Sequence, residues 1–320
     1  MPTQPPVRIG ARGSKLSLAQ AGHMQRRIAA ALGADPDVPD EVERVAPLVV
    51  ITTTGDRVQD RRLLEIGGKG MFTKEIEEAL IAGRIDCAIH SLKDMPAILP
   101  DGLCIAAIPE REDPRDAFLS HKAERLEDLA QGAVLGTASL RRQAQALHRR
   151  PDLDVRMLRG NVDTRLAKLQ AGEADAILLA FAGLKRLGLA HLSQSLIDPV
   201  ECPPAPGQGA LAIETRSQDR DAAWVQAIAH GPTTVAVAAE RGALAALEGS
   251  CKTAIGAHAW FEGARLKLIV EALSTNGRER FRHAGEADMT ELADPQVSAR
   301  DLGLSLGLAI RDEAGDAILA

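Results

Sequence analysis

The stretch Asp198-Pro-Val-Glu-Cys-Pro-Pro-Ala-Pro-Gly-Gln-Gly209 decides how the rest of the chain is read. Its four prolines and two glycines leave little regular structure possible, so it reads as a crossing between domains. A second crossing is Ile108-Pro-Glu-Arg-Glu-Asp-Pro-Arg115, polar and bounded by prolines. Working outward from both, short apolar runs alternate with helical patterns. Runs at 7–10, 48–53, 85–90, 103–108, 133–137, 155–158 and 176–180 read as strands, and 16–31, 140–149 and 162–171 as helices. Phe72, Ile76, Ala79, Leu80 and Gly83 mark one face of a further helix. This alternation predicts α/β units with largely parallel sheets. Two crossings predict a central domain, 110–207, inserted into a first domain made of 1–109 and 208–230. After His230 the pattern changes to an Ala-rich helix at 235–247, alternating runs at 257–261 and 266–272, and a helix at 296–313. That is a small α+β third domain, 231–320.

At 320 residues the chain is long enough for two or three domains. Folding at this size buries roughly 75% of the extended-chain surface, so no disulfide or metal staple is required. Cys87, Cys104, Cys202 and Cys251 are far apart and form no Cys-x-x-Cys pair, which argues against a disulfide framework and a zinc site. No metal is expected. There is no tyrosine and aromatic residues make up only 2%, so the cores must be built from Ala, Leu, Ile and Val. The N-terminal residues lack the apolar region of a secretory signal, and no stretch of membrane-spanning length is apolar throughout. The sequence reads as cytoplasmic and soluble, with no membrane partner.

The formal net charge is −6, yet Arg141, Arg142, Arg149, Arg150, Arg156, Arg159 and Arg165 crowd one stretch. Within it only Asp152, Asp154 and Asp163 oppose them. An acidic chain that concentrates arginine this way suits a ligand rich in carboxylate or phosphate. Three segments share one design of strand, small-residue turn and polar helix opener: Ile9-Gly-Ala-Arg-Gly-Ser14, Leu135-Gly-Thr-Ala-Ser139 and Leu158-Arg-Gly-Asn161. Ser14, Ser139 and Asn161 are good N-caps, and a helix N-terminus attracts anions. With Arg12, Arg141, Arg142, Arg159 and Arg165 beside them these ends become carboxylate clamps; the bland alternative is capped helices with solvated arginines. Ile66-Gly-Gly-Lys-Gly-Met-Phe72 lacks phosphate-loop spacing and reads equally well as a glycine-hinged lid with Lys69 at its tip. Ile89-His-Ser-Leu-Lys-Asp-Met-Pro96 places Lys93 and Asp94 after a strand, where a carboxylate can stabilise a developing cation or simply cap a turn. Cys251, in Leu-Glu-Gly-Ser-Cys, is either a small core residue or an exposed thiol activated beside Lys252.

Taken in order, these segments closely resemble the hydroxymethylbilane synthase (porphobilinogen deaminase) family. The matching stretches are Arg8–Gln20, Gly67–Phe72, His90–Pro96, Glu110–Phe118, Gly136–Gln143, Leu158–Leu166, Ala182–Leu187, Pro206–Ala210 and Leu247–Cys251. The resemblance implies a transferase that joins four porphobilinogen molecules head to tail, loses ammonia each time, and releases a linear tetrapyrrole by hydrolysis. It implies a dipyrromethane cofactor held by a thioether to Cys251. It also implies two similar α/β domains like those of a periplasmic-type binding protein, joined by the double crossing, with the small third domain presenting Cys251.

Carried over position by position, Asp94 is the catalytic carboxylate. Lys93, Asp94, Thr137, Ser139, Arg141, Arg142 and Arg165 hold the cofactor. Arg12, Ser14, Lys69, Arg159, Arg165 and Gln208 hold substrate, and Arg111 lies at the hinge. A monomer in the cytoplasm, using porphobilinogen and no nucleic acid, is implied. Two departures stand out: Glu65 occupies a position that is lysine in some relatives, and Lys252-Thr-Ala-Ile-Gly256 replaces a more usual Gln-Val-Pro-Ile-Gly. One rival reading is a two-domain carboxylate-binding protein without catalysis, against which the placed cysteine counts. The other is a nucleic-acid binder, disfavoured because the arginine stretch has no aromatic residue for base stacking.

Overall fold

The computed structural model describes residues 5–53, 73–96, 98–247, 253–290 and 292–318. Within it the chain divides into two compact units, Met1–Arg111 with Ala210–Thr234, and Glu112–Gly209 with Val235–Ala320.

The first unit is built on strands β1 (Ile9–Arg12), β2 (Leu48–Ile51), β3 (Cys87–Ser91) and β4 (Leu103–Ala107), and on helices α1 (Lys15–Ala31), α2 (Pro39–Val45) and α3 (Lys74–Ile81). The second holds β5 (Asp116–Ser120), β6 (Val134–Gly136), α4 (Leu140–Arg149), β7 (Asp154–Arg156), α5 (Val162–Gln170), β8 (Ala176–Ala180), α6 (Phe181–Arg186) and β9 (Ser195–Leu196). The chain then returns to the first unit as β10 (Leu211–Arg216) and α7 (Ala223–Ile228). Helix α8 (Gly231–Ala246) leads to β11 (Ala254–Glu262), β12 (Arg265–Leu273), β13 (Arg280–Asp288) and α9 (Pro295–Ala314).

The two larger sheets have one topology. The first runs β2-β1-β3-β10-β4 and the second β7-β6-β8-β5-β9. In each, three strands are parallel, and the next is antiparallel to both of its neighbours. The sheets are therefore mixed rather than largely parallel, because β5 and β10, the strands that follow the two crossings, enter against the grain. The third sheet is the antiparallel meander β11-β12-β13.

Aliphatic alternation fills both faces of these sheets, as buried α/β strands require. In the second sheet Phe118, Leu135 and Leu178 pack on one side with Ala146 of α4, while Leu119, Ile177 and Leu179 pack on the other with Leu184. In the first, Ile9, Ile89 and Ile213 cover Met24 and Ile28 of α1. The second strand of each sheet, β1 and β6, carries a glycine where a neighbour must pass. A Cβ on Gly10 would lie 2.4 Å from Ile85 Cδ1, and one on Gly136 would lie 2.8 Å from Leu158 Cδ1. The crossings meet at Gly209, whose φ is +88° and whose Cβ would stand 2.3 Å from the Glu112 carbonyl oxygen. Only glycine fits there.

The third sheet is fastened to α4 within the second unit. Gln145 Nε2 donates to Glu271 Oε1 at 2.9 Å, and Gln143 Nε2 donates to the Thr275 carbonyl at 3.2 Å. Gly277 of the β12–β13 turn touches α4 backbone, its carbonyl lying 2.9 Å from His148 Nδ1.

Candidate active site

In the first unit the proposed groups gather at the carboxyl ends of neighbouring strands β1 and β3, which are parallel. Strand β1 ends at half-buried Arg12, and Ser14 caps α1 by accepting from Ser17 N at 3.2 Å. Ser17 Oγ in turn accepts from Arg12 N at 3.1 Å, which fixes the turn. Strand β3 runs into a single 3₁₀ turn, Leu92–Asp94, that leaves Lys93 and Asp94 exposed. Two contacts hold this turn: Gln20 Nε2 donates to Ser91 Oγ at 3.1 Å, and Leu92 N to the Ala210 carbonyl at 3.0 Å. Beneath it His90 Nε2 and Glu214 Oε2 lie 3.0 Å apart, both buried. Arg111 ends the first unit and donates its backbone N–H to Thr233 Oγ1 at 3.1 Å.

In the second unit the equivalent strand ends carry the arginines. Thr137 is buried just past β6, its Oγ1 accepting from Ser139 N at 3.1 Å. Ser139 caps α4 by accepting from Arg142 N at 3.4 Å, and Asn161 caps α5 by accepting from Thr164 N at 2.9 Å. All three helix openers expected from sequence are thus real caps. Strands β6 and β7 pair in parallel, so the two capped turns are neighbours.

Arg141, Arg142 and Arg149 are neutralised by partners remote in sequence, Arg150 and Arg156 by aspartates two residues away. Arg141 and Arg142 are buried and both pair with Asp116, at 2.8 and 2.7 Å. Arg149 pairs with Glu127 at 2.5 Å and with Glu201 at 3.4 Å, Arg150 with Asp152 at 2.7 Å, and Arg156 with Asp154 at 2.6 Å. Arg159 and Arg165 have no carboxylate partner among the described residues. Arg165 Nε is buried without an acceptor, as is Arg141 Nε. Burial, and then the like charges of Arg142 and Arg159, push the Arg165 guanidinium down to about 10. Burial alone would raise the Asp116 carboxyl, but Arg141 and Arg142 hold it well below the usual carboxylate range. Gln208 is buried, donating to the Pro114 carbonyl at 2.7 Å and to Asp116 Oδ1 at 2.9 Å.

Lys69, Glu65, Cys251 and Lys252 lie outside the described residues. Cys87 and Cys104 are buried, and burial raises the Cys87 thiol, so neither is an activated nucleophile. Sequence reasoning gave no role to Gln20, Asp116, Gln145 or Glu271. The signal available for Asp116 was a carboxylate directly ahead of the apolar run Ala117-Phe-Leu119.

Comparison with known proteins defines first a class: residues 7–223 match the family model described as porphobilinogen deaminase, dipyromethane cofactor binding domain, and residues 234–312 match the porphobilinogen deaminase C-terminal domain. The chain is 76% identical over 319 residues to the porphobilinogen deaminase of Phenylobacterium zucineum, covering 100% of each chain. It is 68% identical over 320 residues to that of Caulobacter vibrioides, covering 100% of this chain and 99% of the other. Among solved structures, the methionine binding protein MetQ aligns at 16% identity with a TM-score of 0.42, over 69% of this chain and 89% of that one.

The chain belongs to the porphobilinogen deaminase (hydroxymethylbilane synthase) family. Its reaction is the family's transferase reaction, the condensation of four porphobilinogen molecules with loss of ammonia followed by hydrolytic release of the linear tetrapyrrole, and its cofactor is dipyrromethane. The residues present fit that group. A dipyrromethane carries several carboxylates, and the second unit offers two buried guanidinium nitrogens with no acceptor among the described residues. Among those residues no helix is long and apolar enough to cross a membrane, and no cluster of side chains could hold a metal ion.

Proposed function

We propose that the two sets of residues divide the reaction, the first unit supplying the reacting carboxylate and the second the grip on carboxylates. The observation that carries the second role is the buried, unpartnered Nε of Arg165 beside Arg142 and Arg159. The exposure of Asp94 on a turn tied down by Gln20 and Ala210 supports the first.

In this reading Cys251 is the covalent anchor, through a thioether. Thr137, Ser139, Arg141, Arg142, Arg165, Lys93 and Asp94 hold the cofactor, and Arg12, Ser14, Lys69, Arg159, Arg165 and Gln208 hold porphobilinogen. When bound, dipyrromethane supplies the nucleophilic pyrrole carbon that starts the chain. As ammonia leaves porphobilinogen with the electron pair of its C–N bond, positive charge spreads over the pyrrole ring. The Asp94 carboxylate accepts the pyrrole N–H and stabilises that charge. Asp94 would hold the pyrrole N–H while the free α-carbon of the cofactor takes up that electron-poor methylene and gives its α-proton to water. Guanidinium groups keep the acetate and propionate arms in register meanwhile, each arm accepting up to two hydrogen bonds from one arginine. Arg111, at the boundary of the first unit, serves as hinge. The division into domains 1–109 with 208–230, 110–207 and 231–320 belongs to the same proposal, as do a monomeric state, a cytoplasmic location and the absence of a nucleic-acid partner.

Intact mass of the purified chain beside Cys251→Ser tests the anchor. The native chain should exceed its sequence mass by two deaminated pyrrole units, and the variant should not. An excess that persists in Cys251→Ser would move the anchor elsewhere.

A further inference from the structure

Arg141 and Arg142 of the second unit are arranged about one buried carboxylate, Asp116. Asp116 begins β5, directly after the first crossing, and is 5% exposed. Its Oδ2 lies 2.8 Å from Arg141 Nη2. Its Oδ1 accepts from Arg142 Nη2 at 2.7 Å, from Arg142 Nε at 3.2 Å and from Gln208 Nε2 at 2.9 Å. Arg142 Nη1 is turned away, donating to the Leu178 carbonyl at 3.0 Å, and Arg141 Nη1 donates to Gln145 Oε1 at 2.8 Å. Arg141 Nη1 donates also to the Pro203 carbonyl at 3.3 Å, and Arg141 Nε is buried with no acceptor among the described residues.

Two cations on one carboxylate keep one net positive charge, and they would repel each other without it. Rigidly held donors recognise an anion without reorganising when it arrives, which is the larger part of their value in a water-poor site. We propose that Asp116 is a positioning residue for the polyanionic pyrrole chain: it holds Arg141 and Arg142 side by side at the N-terminus of α4, and Gln208 ties that arrangement to the second crossing. The proposal rests on the assignment of Arg141 and Arg142 as cofactor-binding residues.

Charge and position make opposite predictions here. Asp116→Asn adds one net positive charge to the site, so attraction at a distance alone would tighten binding of an anion. Loss of positioning weakens it. The full-length variant is weighed intact and its KM for porphobilinogen is measured, beside Arg142→Gln. The expected result is incomplete dipyrromethane loading and a KM about tenfold higher, the size seen when the outer partner of a liganding group is removed. Asp116→Glu, which keeps the charge, should recover part of the loss. Full loading with an unchanged or lower KM in Asp116→Asn overturns the proposal, even if calorimetry shows a lower melting temperature, because the residue is then only structural. If Arg142→Gln also loads fully with unchanged KM, the assignment of the arginines fails, and the proposal with it. Should Asp116→Asn not fold, Gln208→Leu carries the test. It removes the donor to Asp116 and leaves both ion pairs; because Gln208 is itself assigned to porphobilinogen, cofactor loading is the readout, partial loss of dipyrromethane is expected, and full loading overturns the proposal.

Discussion

The two five-stranded sheets share a strand order, a glycine in the second strand and a serine cap on the helix that follows it, yet they bury different charges. In the first, Glu214 on antiparallel β10 meets a single histidine, and the nearby Glu77 carboxyl is raised mainly by its own burial. In the second, Asp116 on antiparallel β5 meets two arginines, with Arg165 close enough to Arg142 to feel its charge. One scaffold, used twice, leaves an exposed carboxylate at a strand end in one case and an excess of guanidinium in the other. The difference teaches that one strand order accepts either a buried carboxylate matched by a histidine or one shared by two arginines, and that only the second brings guanidinium groups to the start of the following helix.

Exchanging chemistry for grip should show in kinetics. Asp94→Asn keeps shape and removes the charge, and should lower kcat by about 10²–10³-fold, the usual loss when one stabilising group is removed. A kcat close to the native value would erase the distinction between the units. Arg165→Gln should act mainly on KM, raising it by about tenfold with a lesser change in kcat, the signature of lost binding rather than lost chemistry. The same arginine gives a pH test. With its guanidinium pushed down to about 10, its charge is present below that pH and lost as pH rises through it. Native KM should therefore climb as pH approaches 10, and Arg165→Gln should climb less; identical profiles would remove Arg165 from the binding set. Smallest are the caps. Ser14→Ala and Ser139→Ala should each cost about 1 kcal/mol in denaturant unfolding. Ser14→Ala should also raise KM, since Ser14 is assigned to porphobilinogen, whereas Ser139→Ala should lower cofactor loading, since its helix opens with Arg141 and Arg142.

Much of this contrast was legible in the sequence, and the gaps have a common cause. The crossings, the parallel strands and the three caps follow from local signals: prolines, apolar runs and a polar residue ahead of a helical pattern. Strands β5 and β10 were not read, because their apolar runs, Ala117–Leu119 and Ala210–Ile213, are short and bounded by Asp116 and Glu214. Each carboxylate is tolerable inside only through a partner far along the chain, Arg142 at 26 residues and His90 at 124. Strand β13 escaped as well, being a polar edge strand whose exposed face reads as charge rather than alternation. The same limit applied to the site. Lys93 and Asp94 follow a readable strand, but the arginine stretch looked almost unopposed because Asp116, Glu127 and Glu201 lie outside it.

The order in which strands join the sheets bears on how the protein is made. Strands β5 to β9 are consecutive, so a nascent chain emerging from the ribosome has every strand of the second sheet once Leu196 has been added. The first sheet is begun earlier and finished later, since β4 pairs only with β10, which ends at Arg216. Until then β3 presents an unpaired apolar edge, and β4 has no sheet to join. The inserted segment is in a position to fold before the element that surrounds it, and the first half must be kept from aggregating while it waits.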